Sequence, residues 1–207
     1  MKKLIIFITL ISCICLIVFK HKSFIIRNLP YINYNVKQIF KKKIILPTVE
    51  HESIPSELAQ YIPEKGQVIL IDYKQPSNKK RLWVVQDNRV VINCRVGHGK
   101  NSGWNLPTKF SNKNGSNKSC IGKFITDYEY NNPVIGRAMV VYGLEPGIND
   151  NAFKRGIRFH SSKYASDKYF ENNGRIGRSL GCFTTDKKYN DQIIDICKFG
   201  TAVYVNG

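Results

Sequence analysis

The sequence predicts a mainly β domain with short helices, preceded by an apolar N-terminal segment. The chain has 207 residues, of which 43% are apolar and 12% aromatic, so its composition is that of a folded protein. Short runs rich in β-branched and aromatic residues follow one another after residue 53, and loops rich in Gly, Asn, Ser and Lys separate them. The length allows one globular domain of ordinary size and excludes a multidomain protein.

The N-terminal segment, residues 1–19, is interpreted as a signal or membrane anchor. Lys2 and Lys3 precede residues 4–19, which contain no charge, no Gly and no Pro. As a helix this run would be about 24 Å long against a hydrocarbon core of about 30 Å, so an uncleaved anchor is the interpretation we favour. A cleaved signal peptide and a lipoprotein lipidated at Cys13, which ends a Leu-Ile-Ser-Cys box, are the alternatives. Each of them places the rest of the chain outside the cytoplasm.

Residues 20–52 are interpreted as a basic tether. Pro30 and Pro47 interrupt the segment, and three consecutive lysines occupy positions 41–43. Such a run is expected either to lie on anionic lipid headgroups or to be a solvated linker. The globular domain is therefore expected to span residues 53–207.

The chain is strongly basic, with 32 Lys and Arg against 15 Asp and Glu and a net charge of +17. An anionic partner is expected, which could be nucleic acid, lipid headgroups or a cell-wall polymer. The sequence contains no nucleic-acid-binding motif, and the export signal argues against that partner, so nucleic acid is excluded. No sequence feature specifies an oligomeric state.

Alternating apolar residues and turn-forming residues predict the elements of the domain. Asp87 and Asn88 predict a turn between two of the strands, and Asp186 predicts the N-cap of a helix that ends at Gly200. Loops are predicted at residues 111–119 and 171–177. Strands are predicted at residues 67–73, 83–85, 89–96, 138–142, 157–160 and 201–205.

Four cysteines belong to the globular part, too few for a disulfide scaffold in about 155 residues. Cys94 alternates with polar residues in its strand, and Cys197 lies on the apolar stripe of the last helix, so both are expected to pack in the core. Cys120 could pair with Cys94, since only geometry decides this. The chain has no Cys-x-x-Cys motif and no closely spaced His pair, so no metal site is expected.

Cys182 differs from the other cysteines because Gly181 precedes it in a loop of irregular backbone. His160 ends a predicted strand and, if Ile157 and Phe159 face the core, points to the opposite face of the sheet. A thiol becomes a good nucleophile when a neighbouring imidazole takes its proton. A buried thiol and a structural histidine are the plain alternative for this pair.

The residues around this pair resemble those of a known enzyme family. His160 followed by Ser179-Leu180-Gly181-Cys182 is similar to the catalytic signature of the L,D-transpeptidases, the YkuD-type murein transpeptidases. Further blocks are similar in order, and the resemblance covers roughly residues 65–207. Leu180 stands where His is commonest in the family, and Phe183 stands where one branch has Pro. The resemblance implies a β-sandwich-like catalytic domain.

The resemblance also implies roles for individual residues. Cys182 would be the nucleophile, and His160 the general base and then the general acid. Gly181 and Cys182 would supply backbone N–H groups to an oxyanion hole, and Ser179 would orient the imidazole.

Two further positions are candidates for substrate binding. Arg178 could bind a substrate carboxylate in place of the basic residue that usually follows the cysteine in this family. His98, between two glycines, could line the groove.

The implied reaction is acyl transfer on peptidoglycan stem peptides. A thioester would form on Cys182 with the third stem residue, D-Ala would leave, and an amine of a neighbouring stem would resolve the thioester into a cross-link. If water resolves it, the same site is an L,D-carboxypeptidase; a noncatalytic wall-binding module is the remaining alternative. No metal or organic cofactor is expected, and the N-terminal segment would hold the enzyme at the periplasmic side of the bacterial inner membrane.

Overall fold

The computed structural model describes residues 54–207, which form one eight-stranded sheet with a few short helices. The predictions of an anchor at residues 1–19 and a tether at residues 20–52 lie outside the described residues. Within residues 54–207, no helix is both long enough and apolar enough to cross a membrane. The prediction of a mainly β domain with short helices is confirmed.

The elements alternate along the chain, with most of the helical residues in the last third. The strands are β1 (Gln67–Asp72), β2 (Leu82–Gln86), β3 (Arg89–Cys94), β4 (Gly122–Asn132), β5 (Gly136–Gly143), β6 (Arg158–Ser161), β7 (Phe183–Thr185) and β8 (Ala202–Asn206). The helices are α1 (Ser56–Ala59), α2 (Asp167–Asn173) and α3 (Lys187–Cys197), and a 3-10 turn spans Lys163–Ala165.

The strand order in the sheet is β3-β2-β1-β8-β4-β5-β6-β7. The pairs β1–β8 and β6–β7 are parallel, and the other pairs are antiparallel. The predicted turn at Asp87 and Asn88 joins β2 to β3, with φ angles of 45° and 69°. Consecutive positive φ angles are typical of the tight hairpin turns that match the twist of the strands.

The first and last strands of this order meet through their extensions. The Gly97 N–H donates to Thr184 O at 2.7 Å, and the Ser179 N–H donates to His98 O at 2.8 Å. The Lys100 N–H in turn donates to Ser179 O at 2.8 Å. These bonds join the segment after β3 to the segment that leads into β7, so the sheet curls back on itself around its core, as the expected sandwich-like domain requires.

Aromatic side chains and one helix fill the interior of the curved sheet. The ring centroids of Phe159 and Phe183 are 4.8 Å apart, and those of Phe124 and Phe183 are 5.6 Å apart, although two strands separate β4 from β7. Burying each phenyl ring contributes about 1.5–3 kcal/mol. Helix α3 begins after Asp186, whose carboxylate accepts from Lys188 N at 3.1 Å, as predicted.

Several elements differ from the prediction. Strand β7 and the short helix α1 were not predicted. Strand β4, the longest, was missed, because its second half carries Asp, Glu and Asn and has no buried residue. Helix α2 occupies part of the predicted loop at residues 171–177, with Ser166 as N-cap and Gly174 in the left-handed conformation at its end. Helix α3 ends at Cys197 and not at Gly200, since Lys198 is already extended.

Candidate active site

Strands β6 and β7 bring His160 and Cys182 together. They pair in parallel, with Phe159 opposite Phe183 and His160 opposite Thr184. Cys182 therefore lies one position before the first pair, on the same face of the sheet as His160, because side chains alternate along each strand. Extending this register by one residue would place Cys182, which directly precedes β7, opposite Arg158 and diagonal to His160, a Cα separation of roughly 8 Å that two side chains can bridge.

The His160 imidazole is held in one tautomer. Its Nδ1 lies 2.9 Å from Ser161 O, and a carbonyl oxygen can only accept, so Nδ1 carries the proton. In the neutral ring Nε2 is then a free base. Burial lowers the pKa of His160 below its ordinary value, which keeps the ring neutral at physiological pH.

The Cys182 thiol is partly exposed and protonated in the free protein. Its Sγ donates to Gly156 O at 3.4 Å. Burial raises the pKa of Cys182, and the neighbouring Arg158 and Arg155 oppose that rise. Because the thiol is not ionised by its surroundings alone, it depends on a base to become a nucleophile.

Ser179 does not orient the imidazole as the resemblance implied. Its Oγ donates to Cys182 O at 2.8 Å and accepts from Gly181 N at 3.0 Å. The side chain is 3% exposed. The Ser179 hydroxyl therefore joins the loop before β7 internally, because it links the residue before Leu180 to the two residues after it.

This loop geometry also changes the expected oxyanion hole. The Gly181 N–H is already bonded to Ser179 Oγ, so it is not free to bind an oxyanion as expected. The Cys182 N–H donates no hydrogen bond within residues 54–207 and remains available. Glycine is required at position 181 because its φ is 123°, and a Cβ there would lie 2.8 Å from Lys118 O.

His98 is wholly buried, so the expectation that it lines the groove is wrong. Arg81 Nη2 donates to its Nδ1 at 2.8 Å, and its Nε2 lies 3.2 Å from Gly103 O. Burial first, and the Arg81 guanidinium second, lower the pKa of His98 to about 3. The ring is therefore a neutral internal bridge between Arg81 and the backbone at Gly103.

Arg178 lies at the rim of the same loop. Its Nη1 donates to Lys100 O at 2.8 Å and to Gly103 O at 3.2 Å. Its guanidinium carbon lies 4.3 Å from the centroid of the Trp104 ring. Part of this guanidinium is thus used to hold the loop at residues 100–104, and the rest faces outward.

Several residues around the site were missed by the sequence analysis. Tyr164 packs against Gly177, where a Cβ would lie 2.6 Å from the tyrosine Cβ. Lys100 and Arg175 line a cavity together with Tyr164 and Arg178. Only the glycine at 177 was a signal in the sequence, since a basic or aromatic residue in a loop has no distinctive spacing.

The remaining cysteines are core residues in the structure. Cys94, Cys120 and Cys197 are buried free thiols, so Cys120 is not paired with Cys94. The predicted packing of Cys94 and Cys197 is confirmed. Residues 54–207 contain no cluster of His, Cys, Asp and Glu side chains that could hold a metal ion.

A neutral imidazole on β6 and a thiol directly before the neighbouring strand β7 define a candidate thiol enzyme. Residues 47–206 match the family model of the L,D-transpeptidase catalytic domain. The chain belongs to this family. No curated protein matches the chain.

Solved structures of L,D-transpeptidases are among those similar to the chain. One from Mycobacterium smegmatis is 15% identical over 68% of this chain and 58% of that one, with a TM-score of 0.44. One from Stackebrandtia nassauensis is 14% identical over 85% and 66%, with a TM-score of 0.43. Bd1075 from Bdellovibrio bacteriovorus is 18% identical over 68% and 47%, with a TM-score of 0.42. The chain thus spans less than two thirds of the length of these relatives.

Proposed function

We propose that the protein is a peptidoglycan L,D-transpeptidase that transfers an acyl group from a tetrapeptide stem, through a thioester on Cys182, to an amine acceptor. Membership of the L,D-transpeptidase catalytic domain family supports the reaction class. The observation that supports the assignment of residues is the parallel register of β6 and β7, in which Cys182 directly precedes the residue paired with Phe159.

The first half of the reaction forms the thioester. In the free protein the thiol donates to Gly156 O. To transfer its proton to His160, the thiol must leave this carbonyl and turn toward the imidazole when a substrate enters. His160 Nε2 takes the thiol proton, and Sγ attacks the carbonyl carbon of the third stem residue. The Cys182 N–H then stabilises the oxyanion of the tetrahedral intermediate. His160 returns the proton to the nitrogen of D-Ala, which leaves as the C–N bond breaks.

The second half releases the product. An acceptor amine attacks the thioester carbonyl, His160 takes the proton from that amine, and the C–S bond breaks. The thiolate receives the proton back from His160. Water in place of the amine would give the L,D-carboxypeptidase reaction, so one site serves both outcomes and the acceptor decides between them.

We also propose that the protein acts outside the cytoplasm, at the periplasmic face of the inner membrane. Peptidoglycan stems are its substrate under this proposal, and the apolar N-terminal segment is expected to export or anchor the chain. The excess of basic residues would attract the domain to an anionic wall.

Mass spectrometry of the full-length chain with a tetrapeptide stem tests the proposal. We expect an adduct on Cys182 with the mass of the stem minus D-Ala, and its loss when an amine acceptor is added. The Cys182→Ala variant should form no adduct and should fold normally, because the thiol is partly exposed and not in the core cluster.

The matched control is Cys120→Ala, which removes a different thiol and should leave the adduct on Cys182. Adduct formation at a residue other than Cys182, or unchanged cross-linking by Cys182→Ala, would contradict the proposed mechanism. A hydrolysed stem without cross-links would show that water is the acceptor.

A further inference from the structure

A cationic cavity lies beside the loop that carries Cys182. Its volume is about 300 Å³, and its lining contains three cations and two phenol rings but no carboxylate. The lining residues are Lys100, Tyr164, Tyr169, Arg175, Gly177 and Arg178.

The three cations of this cavity have no acidic partner within residues 54–207. Every Asp and Glu that forms an ion pair there does so with a different base, such as Arg95 or Arg137. Within the described part of the chain, the Arg175 guanidinium donates one hydrogen bond, from Nη1 to Ile176 O at 3.0 Å, and the Arg178 guanidinium donates only through Nη1. Each guanidinium therefore keeps donors for a ligand, and their mutual repulsion is relieved only by an anion.

Trp104 holds two of these cations in place. The guanidinium carbons of Arg175 and Arg178 lie 3.8 Å and 4.3 Å from the centroid of its ring. Contacts of a guanidinium with an indole ring are favourable by about 0.5–1 kcal/mol at exposed sites. Because the two side chains are already ordered by the ring, less conformational entropy is lost when a ligand binds.

The cavity lies beside the loop that leads to Cys182. Tyr164 packs against Gly177, where a Cβ would lie 2.6 Å from the tyrosine Cβ, and both residues line the cavity. Arg178, also in the lining, precedes Cys182 by four residues. The positive field reaches inward as well, since Arg178 and Arg175 contribute to lowering the pKa of His98. A ligand in the cavity would therefore lie beside the loop that carries Cys182.

We infer that Lys100, Arg175 and Arg178 form an anion subsite that binds a free carboxylate of the peptide substrate and so distinguishes stems with free carboxylates from amidated stems. The inference rests on the proposed function, whose substrate it specifies. A guanidinium binds a carboxylate with two parallel N–H donors, which a primary amide cannot replace because it is neutral and is itself a donor.

Calorimetric titration of the full-length Cys182→Ala variant tests binding without chemistry. The probes are a tetrapeptide stem and the same stem with its carboxylates converted to primary amides. We expect the amidated stem to bind at least roughly tenfold more weakly, the effect of losing a charge-assisted hydrogen bond. Adding Arg175→Gln should reduce that difference, whereas the matched control Lys65→Gln, at an exposed position outside the cavity lining, should leave it unchanged.

Acylation of the wild-type chain by the two stems separates this inference from the proposed function. Equal binding and equal acylation by both stems would overturn the subsite and leave the Cys182 mechanism intact. If neither stem acylates Cys182, the proposed function fails, while the calorimetric difference still tests the subsite. Poly(glycerol phosphate) is the third probe: binding to it tighter than to the stem, and abolished by Arg175→Gln, would show that the cavity takes a phosphate polymer and would overturn the inference.

Discussion

Within residues 54–207, Arg81 is a buried cation that forms no ion pair, and His98 accepts one of its hydrogen bonds. Arg81 donates to Val96 O at 2.8 Å through Nη2, to Gln75 O at 2.6 Å through Nη1, and to His98 Nδ1. Since Nδ1 accepts, His98 Nε2 carries the proton and donates to Gly103 O. A protonated His98 would place its Nδ1–H against the guanidinium. The imidazole is therefore required in its neutral form.

This requirement predicts an acid-dependent loss of stability. In the unfolded chain His98 has its ordinary pKa of 6.5 and binds a proton below that pH. In the folded chain its pKa is about 3, so it binds a proton only near pH 3. The unfolded state thus binds more protons in that window, and the free energy of unfolding falls as pH decreases from 6.5 toward 3, by up to about 1.4 kcal/mol per pH unit. Urea unfolding of His98→Gln should show a shallower fall.

The glutamine variant is the matched comparison because its carbonyl can accept from Arg81 and its amide can donate to Gly103 O. The other titrating groups, His160 included, are common to both proteins and cancel in the difference. At pH 5 the wild type should have lost roughly 1–2 kcal/mol more than the variant, relative to pH 7.5. If the free energies of unfolding of the two proteins fall in parallel with decreasing pH, protonation of His98 does not destabilise the fold and the prediction is wrong.

The sequence could point to His98 but not to its role. Two flanking glycines marked the position as unusual, and a histidine in a loop suggested contact with a ligand. Its burial depends on Arg81, seventeen residues earlier, and on a loop carbonyl at Gly103. A side chain that satisfies a distant buried charge leaves no local pattern, whereas Cys182 and His160 were found because their chemistry and spacing form a motif.

At the scale of elements, the loop before β7 is fixed by one hydroxyl group. Ser179 Oγ is bonded to both Gly181 N and Cys182 O, so the turn that presents the thiol is closed by a side chain and not by a backbone ladder. The backbone of Ser179 itself is hydrogen-bonded to His98 O and to the Lys100 N–H, which holds the start of the loop against the segment after β3. The loop therefore has a fixed conformation although Leu180, at its tip, is 62% exposed.

The Ser179→Ala variant should loosen this loop while keeping the fold. Leaving the buried partners of the hydroxyl unsatisfied should lower the free energy of unfolding by about 1–3 kcal/mol. Misplacing Cys182 should slow its acylation by roughly ten- to a hundredfold. Stopped-flow acylation and hydrogen exchange at the Gly181 amide measure the two effects.

Ser56→Ala is the control, since Ser56 is exposed and its hydroxyl contacts only Glu57, at 3.5 Å. It should change neither acylation nor exchange. An unchanged acylation rate in Ser179→Ala, with the Gly181 amide still protected, would mean that the backbone alone holds the loop.

The elements were predicted best where one face of a strand meets the core. In β3 the alternation of Ile92 and Cys94 with polar neighbours matches their burial. Strand β4 was missed because only Phe124 and Thr126 are buried in it, and its second half carries polar residues that are half-buried or exposed. The alternation that predicts a strand requires a buried face, so a stretch of strand without buried residues gives little signal.

At the scale of the whole molecule, the candidate site lies where the curved sheet meets itself. The extension of β3 carries His98 and borders the segment that leads into Cys182, so the first and last strands of the order meet beside the candidate site. Such closure depends on pairing between segments about eighty residues apart. No local sequence pattern specifies it, and only the whole core, with Phe124 and Phe183 in contact, determines it.

The contact at Gly97 makes this closure testable. The Gly97 N–H donates to Thr184 O, and a Cβ at position 97 would overlap Thr184 Oγ1 while lying 3.5 Å from both Gly177 O and Thr184 Cβ. Gly97→Ala should therefore force the two segments apart and lower the free energy of unfolding by about 1–3 kcal/mol, the usual cost of overpacking.

The second substitution Thr184→Ala should restore stability, because it removes the one overlapping atom. Thr184 Oγ1 is buried and has no hydrogen-bond partner within residues 54–207, so its removal should cost little stability. Urea unfolding of both single variants and the double variant measures the coupling, which should be at least about 1 kcal/mol in favour of the double variant. Hydrogen exchange at the Gly97 and Ser179 amides should follow the same order: fast in Gly97→Ala and slow again in the double variant. Additive effects of the two substitutions on the free energy of unfolding would contradict the prediction. They would show that the segments at Gly97 and Thr184 can separate without cost, and that the loop before β7 alone holds the candidate site.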